Sequence, residues 1–88
     1  MAQTQQHTKV DIFDLLREAD PVMNQNGSLV WRNKDGRIHR DYDRPAFIWA
    51  DGTRFWYQND QIHRDNDMPA IIRNDGQKFW YEHGDFIK

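Results

Sequence analysis

Apolar and aromatic residues in this chain occur in short clusters, and residues typical of turns separate one cluster from the next. The clusters are rich in aromatic and β-branched residues, whereas the separators are dipeptides such as Asp-Gly, Asn-Asp and His-Gly. This alternation predicts short strands joined by tight turns, and therefore a mainly β fold built as an antiparallel meander. The predicted strands span residues 28–33, 37–40, 45–50, 53–58, 61–64, 69–73, 77–82 and 85–87.

Glycine and proline mark the ends of several predicted strands. Asp51-Gly52 and Asp75-Gly76 suit a tight turn in which the glycine adopts a positive φ. Pro45 and Pro69 each follow an Asp-rich link and have no N–H to donate. We therefore expect each proline to open a strand where the ladder needs no donor.

The C-terminal part of the chain contains an internal repeat. His39–Ala46 reads His-Arg-Asp-Tyr-Asp-Arg-Pro-Ala, and His63–Ala70 reads His-Arg-Asp-Asn-Asp-Met-Pro-Ala, so that the two copies agree at most positions. The offset of 24 residues between these copies also relates Phe55-Trp56-Tyr57 to Phe79-Trp80-Tyr81. A partial earlier copy at Asn26–Trp31 matches with an offset of 25 residues. Repeats of this length are typical of arrays in which one supersecondary unit stacks on the next. The pattern predicts tandem 24-residue β-hairpin repeats.

The segment before the repeats has a different pattern. Thr8–Asp11 resembles a capping box, and Val10, Phe13 and Leu16 recur at helical spacing before Pro21. We predict one short helix that caps an end or face of the sheet, as repeat arrays require, with a partner-binding amphipathic helix as the alternative. The predicted organisation is a flexible N-terminus at 1–8, a capping helix at 9–20 and a single β-repeat region at 26–88.

These residues resemble the repeats of MORN-type proteins, in the variant pattern D-G-x-x-x-W-Y-x-x-G-x-x-H-R-x-x-D-x-P-A. The resemblance covers about two thirds of the chain and implies hairpin units stacked into an elongated sheet that binds proteins or lipids, without catalysis. It also implies a bacterial, phage or large-virus source. The chain departs from the pattern in having few glycines, with Asp60 where the variant often has Gly. The match rests on Gly52, Trp56, Tyr57, His63, Arg64, Asp67, Pro69, Ala70, Gly76, Trp80, Tyr81 and Gly84.

Charge and composition narrow the classes of partner. Twelve Lys and Arg against 14 Asp and Glu give a net charge of −2, so no basic excess favours nucleic acid, and acidic mimicry of DNA is weakly supported. The absence of cysteine excludes disulfides and thiolate metal sites. The N-terminus has no signal-peptide pattern and no apolar run has membrane-spanning length. We expect a cytoplasmic protein, in the host cytoplasm if viral, with membrane binding disfavoured.

The repeated motif also contains the residue types of a reactive site. His39 with Asp41 and Asp43, and His63 with Asp65 and Asp67, could hold a divalent ion. The competing interpretation is structural, because His can donate to a nearby carboxylate, Arg can form a fork with Asp, and Asp before Pro can close a turn. With no cysteine and a single serine, a nucleophile is also missing. We predict a protein that is not an enzyme and has no cofactor or metal.

Aromatic residues supply the candidate binding surface. Strand alternation places the tryptophans at 31, 56 and 80 on one face, and Val30, Phe55, Tyr57, Phe79 and Tyr81 on the other. Either the sheet curls over its own core, or an aromatic face remains for a partner. Aromatic and arginine residues dominate interface hot spots. The predicted partner-binding residues are Arg40, Trp49, Arg54, Trp56, Tyr57, Arg64, Trp80 and Tyr81.

The last repeat unit is shorter than the others. We expect its final strand to leave an unpaired edge, which favours a homodimer formed by strand addition. The predicted self-association edge is Asp85, Phe86, Ile87 and Lys88.

The sequence therefore favours a non-catalytic protein-binding module, a phage or bacterial accessory factor that binds and inhibits a host protein. The first alternative is a peripheral lipid or membrane-surface binder of the MORN type. The second is a metal-dependent enzyme that uses the His/Asp pairs.

Overall fold

The structure is a computed structural model that describes residues 20–88. Within this range the chain is mainly β, every strand pair is antiparallel, and no helix is present. The predicted flexible N-terminus and residues 9–19 of the predicted helix lie outside the described residues, and Asp20 is exposed without regular structure. No helix in the described range is long and apolar enough to cross a membrane.

Ten short strands of two residues each form three sheets. Six of them make one sheet in the order β1-β2-β3-β4-β7-β8, while β5 pairs with β6 and β9 pairs with β10. The strands are β1 (Val22–Met23), β2 (Leu29–Val30), β3 (Phe47–Ile48), β4 (Arg54–Phe55), β5 (Tyr57–Gln58), β6 (Gln61–Ile62), β7 (Ile71–Ile72), β8 (Lys78–Phe79), β9 (Tyr81–Glu82) and β10 (Asp85–Phe86).

Two of the predicted strands are split at their tryptophan. The predicted strand 53–58 becomes β4 and β5 because Trp56 changes hydrogen-bonding partners. Its N–H donates to Ala70 O at 2.8 Å, whereas its carbonyl accepts from His63 N at 3.0 Å. The strand before Trp56 therefore belongs to the large sheet, and the strand after it belongs to a small hairpin. Residues 77–82 also divide into β8 and β9 at Trp80, but its N–H donates to Lys88 O.

The register of the large sheet aligns one row of apolar residues across all six strands. Directly paired residues of antiparallel strands lie on the same face of a sheet. The row is Val22, Val30, Phe47, Phe55, Ile71 and Phe79. The neighbouring row on the opposite face is Met23, Leu29, Ile48, Arg54, Ile72 and Lys78. Val30, Phe55 and Phe79 thus share a face, as the alternation predicted.

Main-chain hydrogen bonds in one part of the sheet recur at the spacing of the sequence repeat. Ala46 N donates to Phe55 O and Ala70 N donates to Phe79 O, both at 2.9 Å. The turns before these strands also match, since Gly52 N donates to Trp49 O and Gly76 N donates to Arg73 O. The backbone geometry of these segments therefore recurs at the spacing of the sequence repeat.

The tight turns use the residues that tolerate positive φ. Gly52 and Gly76 have φ of 93° and 92°, which confirms the prediction for the two Asp-Gly turns. The hairpin turns at Asn59-Asp60 and His83-Gly84 have two successive residues with positive φ, the geometry whose twist matches that of paired strands.

The core is small and lies on both faces of the sheet. Ala46 and Ala70 are fully buried, and Trp56 is 5% exposed. The buried apolar residues are Val30, Trp31, Ala46, Trp56, Ala70 and Ile71. Because two of the six are tryptophans on the face opposite Val30 and Ile71, the sheet buries apolar area on each side.

Candidate functional site

A polar pocket of about 210 Å³ lies between the two His-Arg-Asp segments. It contains the residues whose chemistry first suggests a reactive site. Its lining is Asp41, Tyr42, Asp43, Trp56, Gln58, His63, Arg64, Asp65 and Asn66.

Arg64 is held in this pocket by four separate contacts. Its Nε donates to Asp43 Oδ1 at 2.8 Å, and its Nη2 donates to Asp43 Oδ2 at 3.1 Å. Nη1 donates to Pro69 O at 3.0 Å, and the guanidinium lies 3.9 Å from the centroid of the Trp56 ring. The hydrogen bond from Arg64 lowers the pKa of the Asp43 carboxyl below its usual range. The pair therefore remains charged and joined at neutral pH.

His63 uses both ring nitrogens for contacts within the chain. The backbone N–H of His83 donates to Nδ1 at 3.0 Å, so Nδ1 must be the unprotonated nitrogen. Nε2 then carries the proton and donates to Asp65 Oδ1 at 2.7 Å. His39 repeats the arrangement with Asn59 N at 3.2 Å and Asp41 at 2.8 Å.

These contacts involve the ring nitrogen that a metal ion would need. A histidine binds a metal through an unprotonated ring nitrogen, and in both copies that nitrogen accepts a backbone N–H. Among residues 20–88, no group of three or more His, Cys, Asp or Glu is placed to share an ion. The arrangement instead links each histidine to a hairpin turn 20 residues further along the chain. It agrees with the structural interpretation of His donating to carboxylate and Arg forming a fork with Asp.

The opposite face of the sheet carries a shallow aromatic groove of about 320 Å³. Half of its lining residues are aromatic, and polar residues lie at one end. We use "aromatic groove" for the surface lined by Trp49, Asp51, Thr53, Phe55, Ile71, Arg73, Phe79 and Tyr81.

Ring contacts arrange the aromatic side chains of this face. The ring centroids of Trp49 and Phe47 are 5.1 Å apart, and those of Trp49 and Phe55 are 6.2 Å apart. Phe55 stacks on Tyr57 at 6.2 Å with an interplanar angle of 21°. These separations are within the range of favourable aromatic pairs. Trp49 nevertheless keeps 41% of its surface exposed, so the cluster is ordered by its own contacts and still open to a partner.

A fixed negative charge lies at the polar end of the groove. The backbone N–H of Thr53 donates to Asp51 Oδ1 at 2.8 Å. Hydrogen bonds from Thr53 lower the pKa of the Asp51 carboxyl, and the charge of Arg73 adds to the effect. Thr53 Oγ1 in turn accepts from Asn74 N at 3.1 Å. The groove therefore presents an ionised carboxylate and a guanidinium beside its aromatic wall.

The predicted partner-binding residues fall into two groups. Arg64 and Trp56 belong to the polar pocket, Arg40 lies 3.8 Å from the Trp31 ring and donates to Pro45 O, and Trp80 Nε1 donates to Asp67 O. Trp49 and Tyr81 line the aromatic groove, and half-buried Tyr57 stacks beside it. Arg54 is exposed on the other face.

Several groove residues were absent from the predicted partner-binding set. Asp51, Thr53, Phe55, Ile71, Arg73 and Phe79 join Trp49 and Tyr81 in one surface. Phe79 and Phe55 were predicted to share a face with Tyr81, so strand alternation contains part of the signal. Arg73 ends the predicted strand 69–73, two residues after Ile71, so alternation already places it on this face. Asp51 lies in the turn after β3, where alternation does not indicate which way a side chain points.

The predicted self-association edge is paired inside the chain on one side. Asp85 and Phe86 form β10 and pair with Glu82 and Tyr81 of β9. Ile87 N donates to Trp80 O at 2.7 Å, and Lys88 Nζ lies 3.8 Å from Asp67 Oδ1. Among the described residues β10 pairs with β9 alone, and the large sheet ends at β1 and at β8.

No family model, curated protein or solved structure matches this chain.

Proposed function

We propose that this chain is a non-catalytic protein-binding module that holds its partner in the aromatic groove. The observation that carries the proposal is the exposed Trp49, which is fixed against Phe47 and Phe55 and borders an apolar surface. A preorganised tryptophan offers a large contact area at little entropic cost, which is why such residues dominate the binding energy of interfaces.

The contrast with the polar pocket supports this choice of surface. Each charged residue of that pocket already has a partner within the chain, so new ligands would compete with existing contacts. The groove offers apolar area together with Asp51 and Arg73, which can select a partner by charge. Its shallow form suits side chains of a protein surface, because small-molecule sites enclose most of their ligand.

The proposed fold is an array of 24-residue β-hairpin units of the MORN type with a capping helix over residues 9–20. The recurring hydrogen bonds of Ala46 and Ala70 support the array. By the same resemblance, the proposed role is that of a bacterial or phage accessory factor that binds and inhibits a host protein in the cytoplasm. A homodimer formed through the C-terminal residues 85–88 remains part of this proposal.

Lipid binding and metal-dependent catalysis are the alternative functions. A peripheral membrane binder needs a basic surface, whereas the groove combines one carboxylate with one guanidinium. A metal enzyme using His39 or His63 would have to break the bond from a backbone N–H to each Nδ1. Both alternatives are therefore weaker than protein binding.

The test compares the chain with a Trp49→Ser variant in affinity capture from the source cell or host. A protein retained by the wild-type chain and lost with Trp49→Ser supports the proposal, provided that Lys34→Ser, an exposed change in a turn away from the groove, retains it. Equal capture by all three chains would overturn the assignment of the groove. Sedimentation with anionic vesicles, and thermal unfolding with and without a chelator, test the two alternatives.

A further inference from the structure

The large sheet ends at a strand whose counterpart in the preceding repeat is paired on both sides. β4 pairs with β3 on one side and with β7 on the other. β8 lies one repeat after β4 and pairs with β7 alone among the described strands. An edge of this kind presents backbone groups that can pair with an added strand.

The hydrogen-bond alternation identifies the atoms on the open side of β8. Arg73 N donates to Gln77 O at 2.8 Å, so residues 73 and 77 form a bonded pair between β7 and β8. Bonded and non-bonded pairs alternate along an antiparallel ladder. Lys78 is therefore in a non-bonded pair with Ile72, and its N–H and C=O point away from β7. In β4, Arg54 occupies the corresponding position, and its backbone N–H and C=O point toward Ile72 of β7.

Two segments of this chain pair with a strand of the large sheet in the way an added strand would pair with β8. The segment Pro45–Ile48 lies against β2, with Trp31 N donating to Ala46 O at 2.9 Å. The segment Pro69–Ile72 lies against β4, with Trp56 N donating to Ala70 O at 2.8 Å. Both segments read Pro-Ala, then Phe or Ile, then Ile. In each case the third residue pairs with a residue of the apolar row, Val30 or Phe55.

The geometry points to a strand-addition site at β8 for an extended segment of a partner protein, of the type Pro-Ala-(Phe/Ile)-Ile. The third residue of that segment would lie opposite Phe79 and extend the wall of the aromatic groove, while the fourth would pair with Lys78. Side-chain preference and main-chain pairing would then act together, as in other proteins that bind a peptide by adding a strand. This inference rests on the proposed function, since it names the chemistry of a partner at the same surface.

One backbone contact competes with the added strand. Trp80 N corresponds to Trp56 N, which binds Ala70 O, but Trp80 N donates to Lys88 O at 2.8 Å. A partner segment must displace this carbonyl to form the complete ladder. Removal of Lys88 should therefore strengthen binding.

The test uses a blocked peptide with the sequence of residues 67–74, Asp-Met-Pro-Ala-Ile-Ile-Arg-Asn, titrated into the full isotope-labelled chain. The expected result is slower hydrogen exchange at the Lys78 amide and chemical-shift changes at residues 78–80. The matched control peptide carries an N-methyl group on the second isoleucine, whose N–H faces the edge in β7. It should bind about tenfold more weakly, the effect of one lost hydrogen bond.

Three results would overturn the inference. They are no shift at residues 78–80, equal binding of the N-methylated peptide, or protection of Lys78 in the free chain that grows with its concentration. The last would identify a second copy as the occupant. A chain lacking Lys88 should bind the first peptide more tightly, and weaker binding would contradict the competition. A partner captured in a Trp49-dependent manner, with no peptide bound at β8, would leave the proposed function standing and remove this inference alone.

Discussion

Arg64 of the second His-Arg-Asp segment and Asp43, which follows the first, form a two-point ion pair above the ring of Trp56. Arg64 is 10% exposed in its side chain and Asp43 is 55% exposed. The fork leaves Nη1 free for Pro69 O and gives the guanidinium one orientation over the indole. Lys could not make the same set of contacts, because its ammonium is a single point charge. The pair connects one repeat unit to the next.

Replacing Asp43 by Asn should lower the free energy of unfolding at pH 7 by about 0.5–1 kcal/mol, the range for a partly exposed ion pair. Asn tolerates the φ of 56° at this position, so the loss reports the pair and not the backbone. Urea denaturation measures it. Asp67→Asn is the matched control, because the Asp67 carboxylate is 3.8 Å from the Nζ of Lys88 and both side chains are largely exposed. This variant should lower the free energy of unfolding by less than Asp43→Asn does.

The Arg64–Asp43 ion pair also predicts that the stability of the chain depends on pH. Arg64 lowers the pKa of folded Asp43, so the stabilising contribution is complete above the unfolded value of about 3.9 and is lost as the pH falls through the lowered folded value. The stability difference between wild type and Asp43→Asn should therefore shrink below about pH 4. A difference that stays constant down to strongly acidic pH would show that the carboxylate charge is not responsible.

Replacing His63 by Phe should destabilise the chain by about 1–3 kcal/mol, because His83 N loses its acceptor inside a partly buried contact. Phe keeps a ring opposite His83, whose centroid is 4.3 Å from that of His63. Hydrogen exchange at the His83 amide should accelerate more than exchange at Asn59, whose acceptor is His39. Unchanged exchange at His83 would contradict the link between the ring and the turn.

Replacing Tyr42 by Asn should stabilise the chain by about 1 kcal/mol, because Tyr42 has a left-handed backbone conformation that is costly for a bulky residue and better tolerated by Asn. The φ of Tyr42 is 65°, and Asn66 occupies the equivalent place with φ of 66°. The reverse change, Asn66→Tyr, should destabilise by a similar amount in thermal unfolding. If both variants had the same stability as wild type, backbone strain at this turn would be negligible.

Replacing Ser28 by Ala should leave stability unchanged or raise it by up to about 1 kcal/mol, because removal of an unpaired buried hydroxyl relieves a desolvation cost. The Ser28 hydroxyl is fully buried and has no hydrogen-bond partner. Thr53, which follows an equivalent turn, accepts from Asn74 N. Thr53→Val should cost about 1–2 kcal/mol because that N–H loses its acceptor. Chemical denaturation of both variants makes the comparison, and a marked loss with Ser28→Ala would contradict it.

Local patterns in the sequence determined the class of the fold and many of its turns. Clustered aromatic residues between turn dipeptides predicted an antiparallel, mainly β chain, and the Asp-Gly turns have the predicted positive φ. These features depend on neighbours along the chain, so they can be recognised without tertiary structure. The hydrogen bond between His and Asp inside each motif could also be predicted from the sequence, since His63 and Asp65 are close neighbours along the chain.

Only the tertiary structure decided which face is committed to the fold and which is open. Arg64 and Trp56 had the composition of a binding surface, but Arg64 already contacts Asp43 of the preceding copy, Pro69 of its own copy and the Trp56 ring. The tryptophan that remains exposed is Trp49, and its groove collects polar residues from separate segments of the chain. Sheet order likewise made β8 an edge strand of the large sheet and placed residues 85–86 in a separate hairpin with β9. These outcomes depend on register and on contacts between distant segments, which hydrophobic spacing along one strand does not encode.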